Sequence, residues 1–170
     1  PGQTRWWNNG KFKPKPFKTI ERLKSLGLLP FYADGSLAPI AARILGTTFG
    51  DGGIFSTLNA IFLSSSEEDS LNDYAQDLIA LFGEGIGKNF ERRISGINNT
   101  GMSVWNTNRD LIRFFIALGA PVGRKNKQIT IPSWIHLTEA TEIEFFGALL
   151  GNELCSPRFS TDQNKIQYFG

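Results

Sequence analysis

Ala41-Ala42-Arg43-Ile44-Leu45-Gly46-Thr47-Thr48-Phe49-Gly50-Asp51-Gly52-Gly53-Ile54-Phe55 is the stretch on which the reading of this chain turns. Pro39 suits a first helical turn, where its missing N–H costs nothing. Ala41 to Phe49 is apolar or small on nearly every side, as expected of a helix buried all round. Gly46 and Gly50 fall on one face and leave it bare, so another backbone can approach closely. Gly52 and Gly53 supply permissive dihedrals that stop the helix and turn the chain into a strand. Asp51 is out of place, because an acid near a helix C-terminus is opposed by the macrodipole and needs solvent or a cation. The plain alternative is a turn aspartate beside a glycine-rich helix end. A phosphate loop is a poorer reading: no Lys-Ser or Lys-Thr follows the glycines, and the helix precedes them.

Working outward, the flanking segments alternate between helix and hairpin. Phe17 to Leu29 forms a short amphipathic helix closed by Gly27 and Pro30. Ile54–Leu58 and Ala60–Ser64 read as two short strands, and Glu67–Phe82 as a helix with acids crowding its first turns. Phe90–Ile97 and Met102–Asn106 make a second strand pair, joined by Asn98-Asn99-Thr100-Gly101. A helix over Asn108–Leu118, a basic loop from Pro121, and a last helix from Glu139 capped by Thr138 complete the body; Pro157 to Gly170 is a polar tail. Hairpins broken by helices predict an α+β fold with an antiparallel sheet, helices on one face and the other face open. The organisation expected is a basic N-terminal arm with a short helix over 1–38, one domain over 39–155, and a tail over 156–170.

The chain has 170 residues, enough for one domain with its own core. Its single cysteine, Cys155, excludes an internal disulfide, and its single histidine, His136, argues against a histidine-ligated metal. A metal would be held by oxygen ligands, which points to magnesium or calcium. No apolar run approaches a membrane span, and the basic, aromatic N-terminus is unlike a signal sequence; a cytoplasmic protein with no membrane partner is the expectation. The net charge of +2 hides segregation. Basic residues gather in 1–24 and 85–127, and acids in Glu67–Asp77 and Glu139–Glu144. Such a division suits a nucleic-acid footprint. Open-face candidates are Ser56, Asn59, Lys88, Arg92, Arg93, Ser95, Asn98, Asn99, Ser103 and Trp105, with Arg124 and Lys127 from the basic loop. Their side chains are of the kinds that read base edges or phosphates in a groove wide enough for a β-ribbon. Which alternate set faces outward is left open, since a slip of one residue swaps the faces.

Two blocks carry a resemblance. Ile44-Leu45-Gly46-Thr47-Thr48-Phe49-Gly50-Asp51-Gly52 resembles the LAGLIDADG motif of homing endonucleases in its Gly-Asp-Gly variant. Gly123-Arg124-Lys125-Asn126-Lys127-Gln128-Ile129-Thr130-Ile131-Pro132-Ser133-Trp134-Ile135 is similar to that family's G-x-K…I-P-x-W-I block. The order of elements looks like the family's αββαββα domain, of the single-motif, intron-encoded archaeal type. The resemblance implies a divalent-metal-dependent endonuclease making a staggered double-strand break in a long, pseudo-palindromic duplex. Asp51 and the Gly50 carbonyl would bind Mg2+, Lys125 would polarise water or stabilise phosphate charge, and Gln128 would position water. It further implies a homodimer meeting through Gly46, Thr47 and Gly50. A non-cleaving protein of the same fold, an RNA maturase or DNA regulator, is the alternative. Gly147-Ala148-Leu149-Leu150-Gly151-Asn152-Glu153 repeats the glycine spacing; it reads either as a degenerate second motif or as a closing helix packed through its small residues.

Overall fold

The computed structural model describes residues 15–95, 101–125, 129–153, 158–160 and 165–167. The elements in chain order begin with helices α1 (Lys15–Ser25) and α2 (Ala38–Phe49) and strands β1 (Gly52–Ile54) and β2 (Ile61–Ser65). Helix α3 (Glu68–Phe82), strands β3 (Phe90–Ser95) and β4 (Gly101–Asn106) and helix α4 (Arg109–Ala117) follow. Helix α5 (Glu139–Glu153) comes next, then a small hairpin of β5 (Arg158–Ser160) and β6 (Lys165–Gln167). Short 3-10 turns at Glu84–Asn89 and Ser133–Leu137 precede β3 and α5. From α2 to α4 the order is αββαββα, as expected. The segment expected as a plain tail contains the β5–β6 hairpin instead.

Strands run β1-β2-β4-β3, and every neighbouring pair is antiparallel. Residues directly opposite share a face, so the register assigns both faces. Leu63, Val104 and Arg92 align on one face, as do Ile61, Asn106 and Phe90. Buried Ile61, Leu63 and Val104 pack with Ile44, Leu45, Leu71 and Leu78 of the helices in one core. Gly53, Phe62, Trp105 and Glu91 align on the other face, with Ser64, Ser103 and Arg93 beside them.

Helix α2 is buried along most of its length, with Pro39 in its first turn. Its charged residue, Arg43, donates to both carboxylate oxygens of Asp77 on α3 at 2.7 Å and to Glu144 on α5 at 3.0 Å. The Asp77 hydrogen bonds raise the guanidinium pKa against the opposing effect of burial. Three helices are thereby tied at one point. Asn108 caps α4 by accepting from the N–H groups of Asp110 and Leu111 at 2.9 and 3.1 Å, and Thr138 caps α5 through the Thr141 N–H.

Helix α5 lies against α2 through its own Phe145 and Ala148. A Cβ on Gly46 would stand 2.2 Å from the Phe145 carbonyl oxygen and 3.2 Å from the Ala148 Cβ. The bare face of α2 is therefore covered within the chain, which corrects the expectation that Gly46 meets a second copy. Thr47 is buried, its hydroxyl donating to the Arg43 carbonyl at 3.1 Å. The glycines of α5 do not make this contact: a Cβ on Gly147 or Gly151 would meet nothing within 4 Å. The helix does close on α2, but by seating its aromatic turn on the partner's glycine.

Candidate metal and nucleic-acid site

Gly50 ends α2, its N–H returning to the Gly46 carbonyl at 3.0 Å. Asp51 follows in the turn and is exposed. It makes no hydrogen bond or ion pair within the described residues. Gly52 then enters β1 opposite Leu63. Its lack of a side chain is a matter of room, since a Cβ there would lie 2.6 Å from the Phe62 carbonyl oxygen and 2.8 Å from that of Thr47. Neither Gly52 nor Gly53 has a positive φ, so the expected dihedral role is replaced by close approach. The result is a fixed helix-to-strand corner that presents a carboxylate to solvent.

The basic loop closes this corner from the side. Val122 forms a parallel bridge with Ile54, and the Gly123 N–H donates to the Ile54 carbonyl at 2.7 Å. Gly123 has φ +76° and sits against Ser56, so the loop runs along the free edge of β1. Lys125 is thereby brought to the corner, where its Nζ donates to the Gly50 carbonyl. Its Cε lies 3.8 Å from the Cβ position of Gly53. The loop thus brings Lys125, distant in sequence, to the Gly50 carbonyl beside Asp51. Gln128 and Lys127 lie outside the described residues.

Two features of this corner fit a hard divalent cation. The Gly50 carbonyl already holds a cationic group, and Asp51 is an adjacent carboxylate without a protein partner among the described residues. Among those residues no group of three or more His, Cys, Asp or Glu could enclose a metal. That donor set suits magnesium, which keeps several waters and uses one or two carboxylates with substrate phosphates.

The open sheet face continues from the corner. Phe55 and Phe62 stack with centroids 4.6 Å apart, and Phe55 lies 4.5 Å from Trp105. The Arg93 guanidinium sits 3.7 Å above the Trp105 ring and also pairs with Glu91 at 2.7 Å. Both partners of that ion pair are half exposed, so it holds Arg93 by no more than about 1 kcal/mol. An exposed cation–π contact adds about 0.5–1 kcal/mol. Arg93 is preformed but releasable.

The register corrects two strand candidates. Arg92 is aligned with Val104 on the helix-covered face, and its guanidinium pairs with Glu68 at 3.1 Å and with Asn72, both on α3. Arg92 and Trp105 cannot share a face. Ser103 does share it but is buried, accepting from Trp105 Nε1 at 3.0 Å and donating to the Arg93 carbonyl at 3.4 Å. It positions the indole and does not itself reach a ligand. Ser95 ends β3 opposite Gly101. Ser56 and Asn59 are exposed in the β1–β2 turn, where Thr57 donates to Asn59 at 2.8 Å. Lys88 and Arg124 are exposed. Asn98 and Asn99 lie outside the described residues. Phe55, Phe62 and Glu91 were missed by sequence reasoning; the Phe62–Ser64 alternation was the available signal, masked because Ile61-Phe62-Leu63 is apolar throughout.

No family model matches the chain. Two curated proteins are similar to it. The DNA-directed RNA polymerase subunit Rpo1N of Methanocaldococcus jannaschii is 30% identical over 156 residues, covering 83% of this chain and 12% of that protein. The tRNA-splicing ligase RtcB of Pyrococcus abyssi is 31% identical over 134 residues, covering 73% of this chain and 14% of that protein. The chain thus spans about an eighth of the length of these relatives. Among the described residues no helix is long and apolar enough to cross a membrane.

Proposed function

We propose that this chain is a site-specific, Mg2+-dependent DNA endonuclease of the LAGLIDADG homing type. The observation that carries the reading is the corner where exposed Asp51, the Gly50 carbonyl and Lys125 meet at the rim of an open sheet face bearing Arg93 and Trp105. Binding alone has no use for an unpaired carboxylate beside a polyanion, whereas phosphodiester hydrolysis has. Asp51 and the Gly50 carbonyl would hold a divalent ion, which would supply charge stabilisation for phosphodiester hydrolysis. Lys125 neutralises charge on the phosphate. Arg93, Lys88 and Arg124 attract the backbone, and the sheet face with the Ser56–Asn59 turn lies along the groove.

The similarities are compatible with this reading in a particular way. Both relatives carry names of nucleic-acid enzymes, yet the names share no reaction, and over half of this chain is matched by both. A segment that recurs in a small part of two proteins with unrelated names is what a self-propagating insertion leaves behind.

A staggered double-strand break needs a carboxylate for each strand. We assign the second to another copy of the chain engaged on the same duplex. Since α5 covers the glycine face, that copy meets the first elsewhere than at Gly46. The aromatic stack at Phe55, Phe62 and Trp105 favours one rival, a non-cleaving RNA maturase that stacks bases. Cleavage of supercoiled plasmid carrying the target, with Mg2+, compares wild type with Asp51→Asn. Binding retained and cutting lost in the variant is the expected result. Wild type that binds duplex DNA but leaves it intact refutes the enzyme and favours the rival.

A further inference from the structure

Lys125 has a place in the site that the endonuclease reading does not by itself assign. A carbonyl at a helix C-terminus lacks an intrahelical donor and carries the negative end of the dipole. The Gly50 carbonyl stands at such an end, and its partner is the Lys125 ammonium. Lys125 is therefore placed on one of the two oxygen groups a metal would use, while exposed Asp51 next to it stays open.

The placement is built in. The loop bearing Lys125 is fixed to β1 through Val122 and the Gly123 N–H. Gly53, facing that loop, leaves room for the lysine stem to pass at van der Waals distance. Lys125 stands two residues beyond the Gly123 anchor, at the end of a four-carbon stem with several rotatable bonds. A bound dication and an ammonium on one carbonyl repel each other strongly at this separation. Both cannot be held there at full strength.

We propose that Lys125 is a resident counter-ion of the metal site: it holds the Gly50 carbonyl until a divalent ion arrives, then swings off toward the phosphate. The inference rests on the endonuclease reading and deepens it. Metal loading and lysine delivery become one event. A corner that has not gained its metal keeps its positive charge on the carbonyl and away from the scissile phosphate.

The test uses the full chain without DNA and Mn2+ alone as the probe, with free Mn2+ followed by electron paramagnetic resonance. Wild type, Lys125→Met, Lys125→Arg and Asp51→Asn are compared, each checked for folding by circular dichroism. Lys125→Met is expected to bind Mn2+ about tenfold tighter or more, because an adjacent positive charge has gone. Lys125→Arg, which keeps the charge, is expected to stay near wild type, and Asp51→Asn to lose binding. Equal Mn2+ affinity in wild type and Lys125→Met, with Asp51→Asn still defective, overturns the counter-ion role and leaves the metal site standing. Weaker Mn2+ binding in Lys125→Met also overturns it. Mn2+ binding undiminished in Asp51→Asn, or absent in all four proteins, overturns the metal site itself.

Discussion

Gly46→Ala should destabilise the protein sharply, while Gly147→Ala, at the same spacing on the partner helix, should not. At Gly46 the added methyl would stand 2.2 Å from the Phe145 carbonyl oxygen and 3.0 Å from its carbon. Those atoms are backbone within α5, so no side chain can rotate away. Relief requires α2 and α5 to part by about 1 Å, loosening dispersion contacts along the pair. Overpacking of this sort costs about 1–3 kcal/mol, and an immovable neighbour puts the cost toward the upper end. For a chain of this length that is a fall in Tm of about 6–12 °C. At Gly147 the methyl meets nothing within 4 Å. The gain in helix propensity there is up to about 1 kcal/mol in the stabilising direction. Urea unfolding followed by circular dichroism at several protein concentrations measures both. A neutral Gly46→Ala, or a destabilising Gly147→Ala, would refute the α2–α5 packing. A Gly46→Ala loss that appears only at high protein concentration would return that face to a dimer.

Tyr74 is buried, and its hydroxyl has no hydrogen-bond partner among the described residues. Burial raises its pKa far above the usual 10.0. Its folded-state pKa exceeds the unfolded one, so its contribution is intact below about pH 10 and is lost as pH rises beyond it. Because the buried hydroxyl is unpartnered among the described residues, Tyr74→Phe should gain about 1 kcal/mol at neutral pH, and because Phe does not ionise it should flatten the alkaline fall; a destabilised variant in pH-dependent melts would show a partner for the hydroxyl. Arg93→Gln should weaken duplex binding and reduce the salt slope by about one, whereas Arg92→Gln should leave both nearly unchanged. Equal effects in fluorescence anisotropy would mean the sheet faces are assigned wrongly. Asn108→Ala should cost about 1 kcal/mol through loss of the α4 cap, read from the same urea transitions; no change would mean that water replaces the cap.

Local chemistry made much of this molecule legible without coordinates. Pro39 and the small, apolar run after it specify a buried helix, the turn residues specify hairpins, and Asn108 and Thr138 specify caps. These signals act within a few residues, so the chain itself carries them. The Asp51 corner was also readable, because an acid after a buried helix is electrostatically misplaced wherever it occurs. Sheet faces were not readable. Phe62 and Leu63 are both apolar, and it took the Arg92–Val104 and Glu91–Trp105 pairings to put one arginine under α3 and the other over the tryptophan. The partner of Gly46 was likewise beyond sequence. A bare helix face states that something comes close, but not whether it is another chain or Phe145 of the same one. Nor does spacing tell that Lys125 rests on the Gly50 carbonyl, a contact made by the loop's path along β1. Sequence determined which groups are present and which local shapes they take; the long-range packing of helices and strand register decided what each group faces.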